Sequence, residues 1–339
     1  MTAVTPKGSA MPTDDLIENH EQTCRRSAAL RTAPTIEHPP VVRSTPDAEI
    51  AALLSSLSRT RYSRFLSAIT TPRTRHSLSP EFRSIMDFAT TELEDAGYTV
   101  TRTPVSVGAG TSANLIAHLP GRGTDTRNLV LATAHLDSVN ETGRSLPAPG
   151  ADDNASGSAG VLELGAVLAG RKWENDVVLI LFGGEEQGLL GSIEYVEALT
   201  PEQRTQISAV INMDMIGRRN TAISGVMIEG GQNSQPLMNE LVAAAGTYTQ
   251  LSVTTSLNPF ASDHVPFIDA GLPAVLTIEA DDRANTDVHT DRDTLATVDP
   301  SLAMEILRMN LAVLATHLGV VRDGPLVNTE VVGAADWSA

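Results

Sequence analysis

The sequence predicts an α/β fold, a three-layer sandwich in which a mostly parallel, mixed central sheet is flanked by helices. Four short runs show no polar alternation, as expected of strands buried on both faces of a sheet; they cover 129–134, 177–182, 209–213 and 274–278. Segments with helical spacing of apolar residues alternate with these runs, at 156–169, 188–199, 235–247 and 301–318. This alternation is typical of a sheet with helices on both faces.

Two helical and two extended segments precede this alternation. Apolar residues recur close to helical spacing over 50–69, which predicts a helical region. A second helical pattern covers 77–97, where Ser79 suits the N-cap, Pro80 the first helical position and Gly97 the end. Short strands are expected next, at 98–101 and 114–119.

The balance of charges limits the partners of the chain. Its 339 residues include 41 acidic and 24 basic side chains, so the formal net charge is −17. A chain this acidic repels a phosphate backbone, which argues against nucleic acid as a partner. The single cysteine, Cys24, excludes an intramolecular disulfide framework and a cysteine-ligated metal cluster.

The two ends of the chain are expected to lie outside the folded part. We predict a flexible N-terminal arm over 1–45, a catalytic domain over 46–321 and a tail without periodicity over 322–339. Residues 1–42 lack the apolar stretch of about 7–15 residues that a secretory signal needs, so we expect a cytoplasmic location, or secretion if the start codon is misassigned. No apolar run approaches the ~18–20 residues that span a membrane, so no membrane partner is expected. We expect a monomer.

Polar residues with metal-binding chemistry follow the predicted central strands. In sheets of this kind, ligands bind beyond the carboxyl ends of the strands. The residues at these ends and between the strands are His135 and Asp137, 152–154, Glu185 and Glu186, Asp214, and His289. Single members have simpler interpretations, since 152–154 suits an N-cap and a histidine at a strand end is usually a hydrogen-bonded structural residue. Together they predict one site at one edge of the sheet.

The residue types at these strand ends indicate zinc. Neutral imidazole and carboxylate are the usual zinc ligands where thiolates are absent. Adjacent carboxylates such as Glu185 and Glu186, two glycines after a buried apolar run, are costly to desolvate without a cation. The carboxylates outnumber what one catalytic zinc requires, which suggests a second metal; paired metals lie ~3.5–4 Å apart and share a bridging carboxylate.

At these residues the sequence resembles the M28 family of zinc-dependent aminopeptidases, of the bacterial leucyl aminopeptidase type. The resemblance covers about 50–320, so that 46–321 is expected to be a zinc peptidase catalytic domain. Order, spacing and context agree in six segments, namely 134–138, 149–157, 182–192, 212–217, 262–267 and 288–290.

The resemblance implies a role for each site residue. Five are implied as ligands of two Zn²⁺ ions, for which Co²⁺ or Mn²⁺ could substitute: Asp153 as the bridge, His135 and Asp214 for one ion, and Glu186 and His289 for the other. Glu185 is implied as the general base and Asp137 as the residue that orients His135. The implied reaction is hydrolysis of the N-terminal peptide bond of peptides with a free amino terminus, by a metal-bridging hydroxide.

Three other functions share part of this pattern. M20-type zinc carboxypeptidases and deacylases also have a His-x-Asp and a Glu-Glu, but they carry a dimerisation domain before the last histidine, where this chain has only core segments. A glutaminyl-cyclase-like transferase shares the fold and binds one zinc. A non-catalytic binding homologue would lack a ligand or the base, and here the full set is present.

Overall fold

The computed structural model describes residues 36–40, 43–124, 126–143, 145–259 and 261–321. Most of the predicted arm 1–45 and the whole tail 322–339 lie outside the described residues. Residues 36 and 37, within the predicted arm, pair with the edge of the sheet. The domain boundaries stay a prediction.

Within the described residues, nine strands form one mixed sheet. They are β1 (Ile36–Glu37), β2 (Thr99–Val107), β3 (Gly110–Leu119), β4 (Leu129–His135), β5 (Asp176–Phe182), β6 (Ile207–Met213), β7 (Gly225–Gly230), β8 (Ser252–Ser256) and β9 (Ala274–Glu279). Their order across the sheet is β1-β8-β7-β9-β6-β4-β5-β3-β2. The four predicted central strands are therefore β4, β5, β6 and β9.

The centre of the sheet is parallel and its flanks are mixed. β9, β6, β4 and β5 lie side by side in parallel, whereas β3 joins β5, and β7 joins β9, in antiparallel orientation. The register sets His135 opposite Phe182 and Thr133 opposite Asn212. The carboxyl ends of β4, β5 and β6 therefore meet at one edge, where the loops that follow them converge.

Helices cover both faces of the sheet, which confirms the predicted three layers. The described helices are α1 (Ala48–Leu54), α2 (Arg59–Ile69), α3 (Pro80–Asp95), α4 (Ala155–Leu168), α5 (Leu190–Ala198), α6 (Pro201–Gln206), α7 (Gln235–Tyr248), α8 (His264–Asp269) and α9 (Pro300–Leu318). The larger core lies between the sheet and the layer that contains α1–α4, α7 and α9. The smaller core packs α5 and α8 on the opposite face, around Phe182, Tyr195 and Phe267.

Some boundaries differ from the sequence prediction for local reasons. The helical region predicted over 50–69 is two helices, because the chain leaves α1 after Leu54 and Ser58 caps α2 by accepting a hydrogen bond from the amide of Arg61. The strands predicted at 98–101 and 114–119 extend to a long hairpin, β2 and β3. β7 and β8 were not predicted, since one is a short run between glycines and the other is largely Ser and Thr. Among the described residues, no helix is long and apolar enough to cross a lipid bilayer.

Candidate metal centre and active site

The seven residues singled out in the sequence lie together at the carboxyl edge of the central strands. His135 is the last residue of β4, and Asp214 directly follows β6. Asp153 lies in the turn before α4, and His289 in the segment between β9 and α9. The other three follow β4 or β5 closely: Asp137, Glu185 and Glu186. All seven are buried except His289, whose side chain is 19% exposed.

The donor atoms form two groups that share one carboxylate. Asp153 Oδ1 lies 3.2 Å from His135 Nε2, and Asp153 Oδ2 lies 3.0 Å from His289 Nε2. Asp214 Oδ1 is 3.2 Å from the first imidazole nitrogen, and Glu186 Oε2 is 2.9 Å from the second. Each imidazole nitrogen thus faces two carboxylates, and Asp153 has one oxygen on each side.

The separations of the donor atoms are compatible with metal ions between them. The Nδ1 of each ring already has a partner, the main-chain oxygen of Asp137 for His135 and the Glu141 carboxylate for His289. A ring that donates from Nδ1 presents a lone pair at Nε2, which carboxylate oxygens repel unless a proton or a metal ion lies between them. With zinc bonds of ~2.0–2.1 Å, tetrahedral ligand atoms lie roughly 3.3 Å apart, close to the separations found here.

Glu186 provides a second observation of the same kind. Both of its carboxylate oxygens are buried: Oε2 lies 2.9 Å from His289 Nε2 without hydrogen-bond geometry, and Oε1 has no hydrogen-bond donor within the described part of the chain. A buried carboxylate is costly unless a cation compensates it, and here that cation is either a protonated His289 or a metal ion. Donor atoms of His135, Asp153 and Glu186 lie within 4.8 Å of one another, as do those of His135, Glu185 and Asp214.

The electrostatics of the site favour positive charge. Burial lowers the pKa of His135, but Asp214 and Glu185 outweigh burial and raise it well above the usual range. Burial likewise lowers the pKa of His289, and Glu186 raises it by more. Burial also raises the pKa of the Glu186 carboxyl to about 7, although His289 opposes this. Both imidazoles lie in a negative potential that stabilises protons or metal ions.

Asp137 contacts more of the site than the sequence indicated. Its Oδ1 lies 3.6 Å from His135 Nδ1, beyond hydrogen-bond distance, whereas its main-chain oxygen lies 3.2 Å from that nitrogen; the orienting role of the carboxylate stays a prediction. The same carboxylate accepts the amide hydrogens of Glu185 and Glu186, at 3.4 Å each. Asp137 therefore joins the end of β4 to the turn after β5, which carries the predicted base and one predicted ligand.

In the turn before α4, residues 152–154 include both an N-cap and a candidate metal ligand, the two roles considered from the sequence. Asn154 caps the helix, since its Oδ1 accepts the amide hydrogen of Gly157 at 2.9 Å. Asp153 points instead to the two imidazoles. Gly150 begins this tight turn with φ +51°, and a Cβ there would lie 2.3 Å from the main-chain oxygen of Asp153. The segment thus supplies a cap and a candidate ligand at once.

Two fully buried charged residues that the sequence did not indicate support this turn. Arg75 donates hydrogen bonds to the main-chain oxygens of Leu136, Pro149 and Gly150. Asp293 accepts the amide hydrogens of Asp152 and Asp153 at 2.9 and 3.0 Å. Both side chains bind main-chain groups, for which the sequence carries no pattern.

A serine that contacts Asp214 was also missed in the sequence. Ser262 Oγ donates to Asp214 Oδ2 at 2.6 Å and accepts from Asn212 Nδ2 at 2.9 Å. Asn212 in turn accepts a hydrogen bond from Thr133 on the neighbouring strand. This chain of side chains fixes the orientation of the Asp214 carboxylate. The segment 262–267 carried the family resemblance, so the position could have been found from it.

Comparison with known proteins gives the family. The sequence model of Peptidase family M28 matches residues 114–314, more than half of the chain. The chain belongs to peptidase family M28. Membership of M28 excludes the alternative of an M20-type carboxypeptidase or deacylase. The matched region contains the seven site residues.

Relatives of this M28 chain include proteins named aminopeptidase and probable leucine aminopeptidase. It is 30% identical over 248 residues to leupeptin-inactivating enzyme 1 of Streptomyces exfoliatus, covering 73% of this chain and 52% of that protein. The chain spans about half or less of the length of the curated relatives it matches first.

Solved structures support the M28 fold. The LapA aminopeptidase of Legionella pneumophila superposes with a TM-score of 0.70 at 21% identity, over 87% of this chain and 80% of that one. The zinc aminopeptidase BSAP of Bacillus subtilis has a TM-score of 0.55 at 27% identity, over 62% of this chain and 51% of that one. The first of these likenesses concerns the fold alone.

Proposed function

We propose that this M28 chain is a di-zinc aminopeptidase that hydrolyses the N-terminal peptide bond of peptides. The observation that carries the proposal is the position of Asp153, whose two oxygens face two different imidazoles at 3.2 and 3.0 Å. One carboxylate between two nitrogen donors suits a pair of metal ions that share a bridging ligand. The aminopeptidase names of relatives support the reaction class.

The residues divide between the two proposed ions as their distances suggest. His135 and Asp214 would hold one Zn²⁺, Glu186 and His289 the other, and Asp153 would bridge them. When bound, the ions would lower the pKa of a water molecule and polarise the peptide carbonyl. Glu185 Oε2 lies 3.9 Å from His135 Nε2, farther than the carboxylates assigned as ligands.

Glu185 is the proposed general base. It is buried beside the ligands, and Asp137 holds its main chain through the amide hydrogen bond. In this position the Glu185 carboxylate accepts a proton from the attacking water and returns it to the nitrogen of the leaving amine. Asp137 keeps the base and His135 in fixed relative positions during these transfers.

The substrate is proposed to be a peptide with a free N-terminus. The net charge of −17 attracts cationic amino termini, although salt screens this attraction beyond ~8–10 Å.

The proposal is tested on the purified full-length chain by metal analysis and a substrate panel. We expect about two zinc equivalents, release of the first residue from aminoacyl-nitroanilides and dipeptides, and loss of activity with a chelator. Peptides with a free amine should be cleaved and their N-acetylated counterparts spared. A fully active protein without metal, or preference for acetylated substrates, would contradict the proposal; cyclisation of N-terminal glutamine instead of hydrolysis would favour the transferase.

A further inference from the structure

The second imidazole of the site is held by a carboxylate from a distant loop. Glu141 Oε1 lies 2.7 Å from His289 Nδ1, between residues 148 positions apart in the chain. We infer that Glu141 is a positioning residue that fixes the ring of His289 for metal binding. The inference rests on the proposed function, in which His289 is a ligand of one of the two zinc ions.

The contact joins the two residues through main chain as well as side chain. The amide of Glu141 donates to the main-chain oxygen of His289 at 3.1 Å. His289 itself has a positive φ of 56°, a conformation that non-glycine residues rarely adopt. The paired contacts hold both the backbone of His289 and its ring to the segment after β4.

The loop that presents Glu141 is itself anchored. The preceding residue, Asn140, is buried, and its side chain donates to the main-chain oxygen of Pro147 and accepts from the amide of Thr142. Exposed ion pairs usually contribute little, because the side chains must be ordered to meet. Here hydrogen bonds hold the main chain on both sides of the contact, so only the two side chains remain to be ordered.

The chemistry of the ring explains why a carboxylate is useful there. A hydrogen bond from Nδ1–H to Glu141 selects the tautomer whose Nε2 carries the lone pair, and that atom faces Asp153 and Glu186. The negative charge of Glu141 also makes the ring a stronger electron donor to a metal. His135 obtains its partner from Asp137 in its own turn, whereas His289 depends on another loop.

The chain offers a matched control for this contact. Glu240 Oε2 lies 2.7 Å from His317 Nε2, and the two pairs are similarly exposed: 47% and 20% for Glu240 and His317, 62% and 19% for Glu141 and His289. Glu240 and His317 lie on α7 and α9, in the helical layer. Glu240→Ala therefore removes an equivalent carboxylate–imidazole contact away from the site.

The experiment compares the wild-type full chain with Glu141→Ala, Glu141→Gln and Glu240→Ala. The dissociation constants of both zinc equivalents are measured by competition with a chromophoric chelator. The kcat of each protein is measured at limiting and at saturating zinc, and Tm is measured on the zinc-free proteins. We expect Glu141→Ala to raise one of the two constants by about 10–100-fold, the range typical of residues that support metal ligands. Glu141→Gln, which keeps an acceptor oxygen without the charge, should give a smaller rise.

The remaining readouts separate positioning from general stability. The Tm of zinc-free Glu141→Ala should match that of Glu240→Ala, saturating zinc should restore most of kcat in Glu141→Ala, and Glu240→Ala should bind zinc as the wild type does. If the wild type binds two zinc ions and Glu141→Ala holds both equally tightly, the inference is overturned while the proposed function stands. Equal weakening of both equivalents with a lower Tm also overturns it. A wild type that binds no zinc contradicts the proposed function and the inference together.

Discussion

Replacing Glu185 by glutamine tests whether the proposed base and the proposed ligands are distinct. Glutamine has the same shape but cannot accept a proton at neutral pH. Glu185 Oε2 is 3.9 Å from His135 Nε2, whereas the carboxylates assigned as ligands lie 2.9–3.2 Å from their imidazoles. We therefore expect Glu185→Gln to retain two zinc equivalents while losing activity.

The size of the expected loss follows from the role of a general base. Positioned acid–base groups contribute roughly 10²–10⁴ in rate, so kcat should fall by this factor. At about 1.36 kcal/mol for each tenfold change, the barrier rises by about 2.7–5.4 kcal/mol. Glu186→Gln is the matched control: it removes the adjacent carboxylate, whose oxygen lies 2.9 Å from His289, and should lose zinc as well as activity.

The pH dependence gives an independent measure of the same role. Burial raises the pKa of the Glu185 carboxyl, as do Asp263 and Glu186, although His135 opposes them. A base is active only when ionised, so kcat/KM should rise with pH through the pKa that Glu185 has in the zinc-loaded enzyme, where the proposed ions oppose the effect of burial. The residual activity of Glu185→Gln should lack that rise.

The assay is hydrolysis of an aminoacyl-nitroanilide, with zinc measured on the same samples. A Glu185→Gln protein that keeps two zinc ions and more than a tenth of the wild-type kcat would refute the assigned base. Loss of zinc from Glu185→Gln with retention in Glu186→Gln would mean that the two roles are exchanged.

Three further predictions concern stability. Arg75→Met leaves three main-chain oxygens without their hydrogen-bond donor. It should lower the free energy of unfolding, measured in urea, by about 3–5 kcal/mol, and Arg75→Lys should lower it by less. A change below ~1 kcal/mol in Arg75→Met would contradict the supporting role of this residue. Removing zinc should lower Tm, since free zinc at ~1,000 times its dissociation constant stabilises by about 4.1 kcal/mol per ion, and an unchanged Tm would speak against resident metal. Burial raises the pKa of the Asp176 carboxyl, but its hydrogen bonds to His118, the Gly121 amide and Arg127 lower this pKa below the usual range. The wild type should therefore be more stable than Asp176→Asn near pH 7, and this difference should shrink as pH falls below about 4. A difference that does not change with pH would contradict this prediction.

The central part of the fold was predictable because its strands are buried on both faces. The run predicted over 129–134 is β4, and that over 177–182 is β5, each within one residue of the observed bounds. β8 has the sequence SVTTS, in which burial is partial and most side chains are polar, so it resembles a loop in composition. Its position follows from pairing with β7, a contact between segments distant in sequence. Local sequence patterns indicate which residues are buried, but they do not indicate which strands pair.

The candidate ligands and the residues that support them differ in what the sequence reveals. A zinc ligand must be a histidine or a carboxylate, so residues such as His135 and Asp153 stand out wherever they follow an apolar strand. Arg75 and Asp293 bind carbonyl and amide groups of the main chain, which every residue possesses, so their partners carry no signature. Only the three-dimensional course of the loops shows which main-chain groups they reach.

The same distinction explains why Glu141 escaped notice beside Asp137. Asp137 is two residues from the imidazole it serves, so the spacing His-x-Asp makes the pair visible in the sequence. Glu141 serves an imidazole 148 positions away, and the pair exists because the segment after β4 and the segment after β9 meet at one edge of the sheet. A sheet whose central strands β4, β6 and β9 are neighbours brings these segments together whatever their sequences are. The fold therefore determines which loops lie close enough to support a metal ligand. The residue at position 141 then determines whether the loop after β4 supports His289.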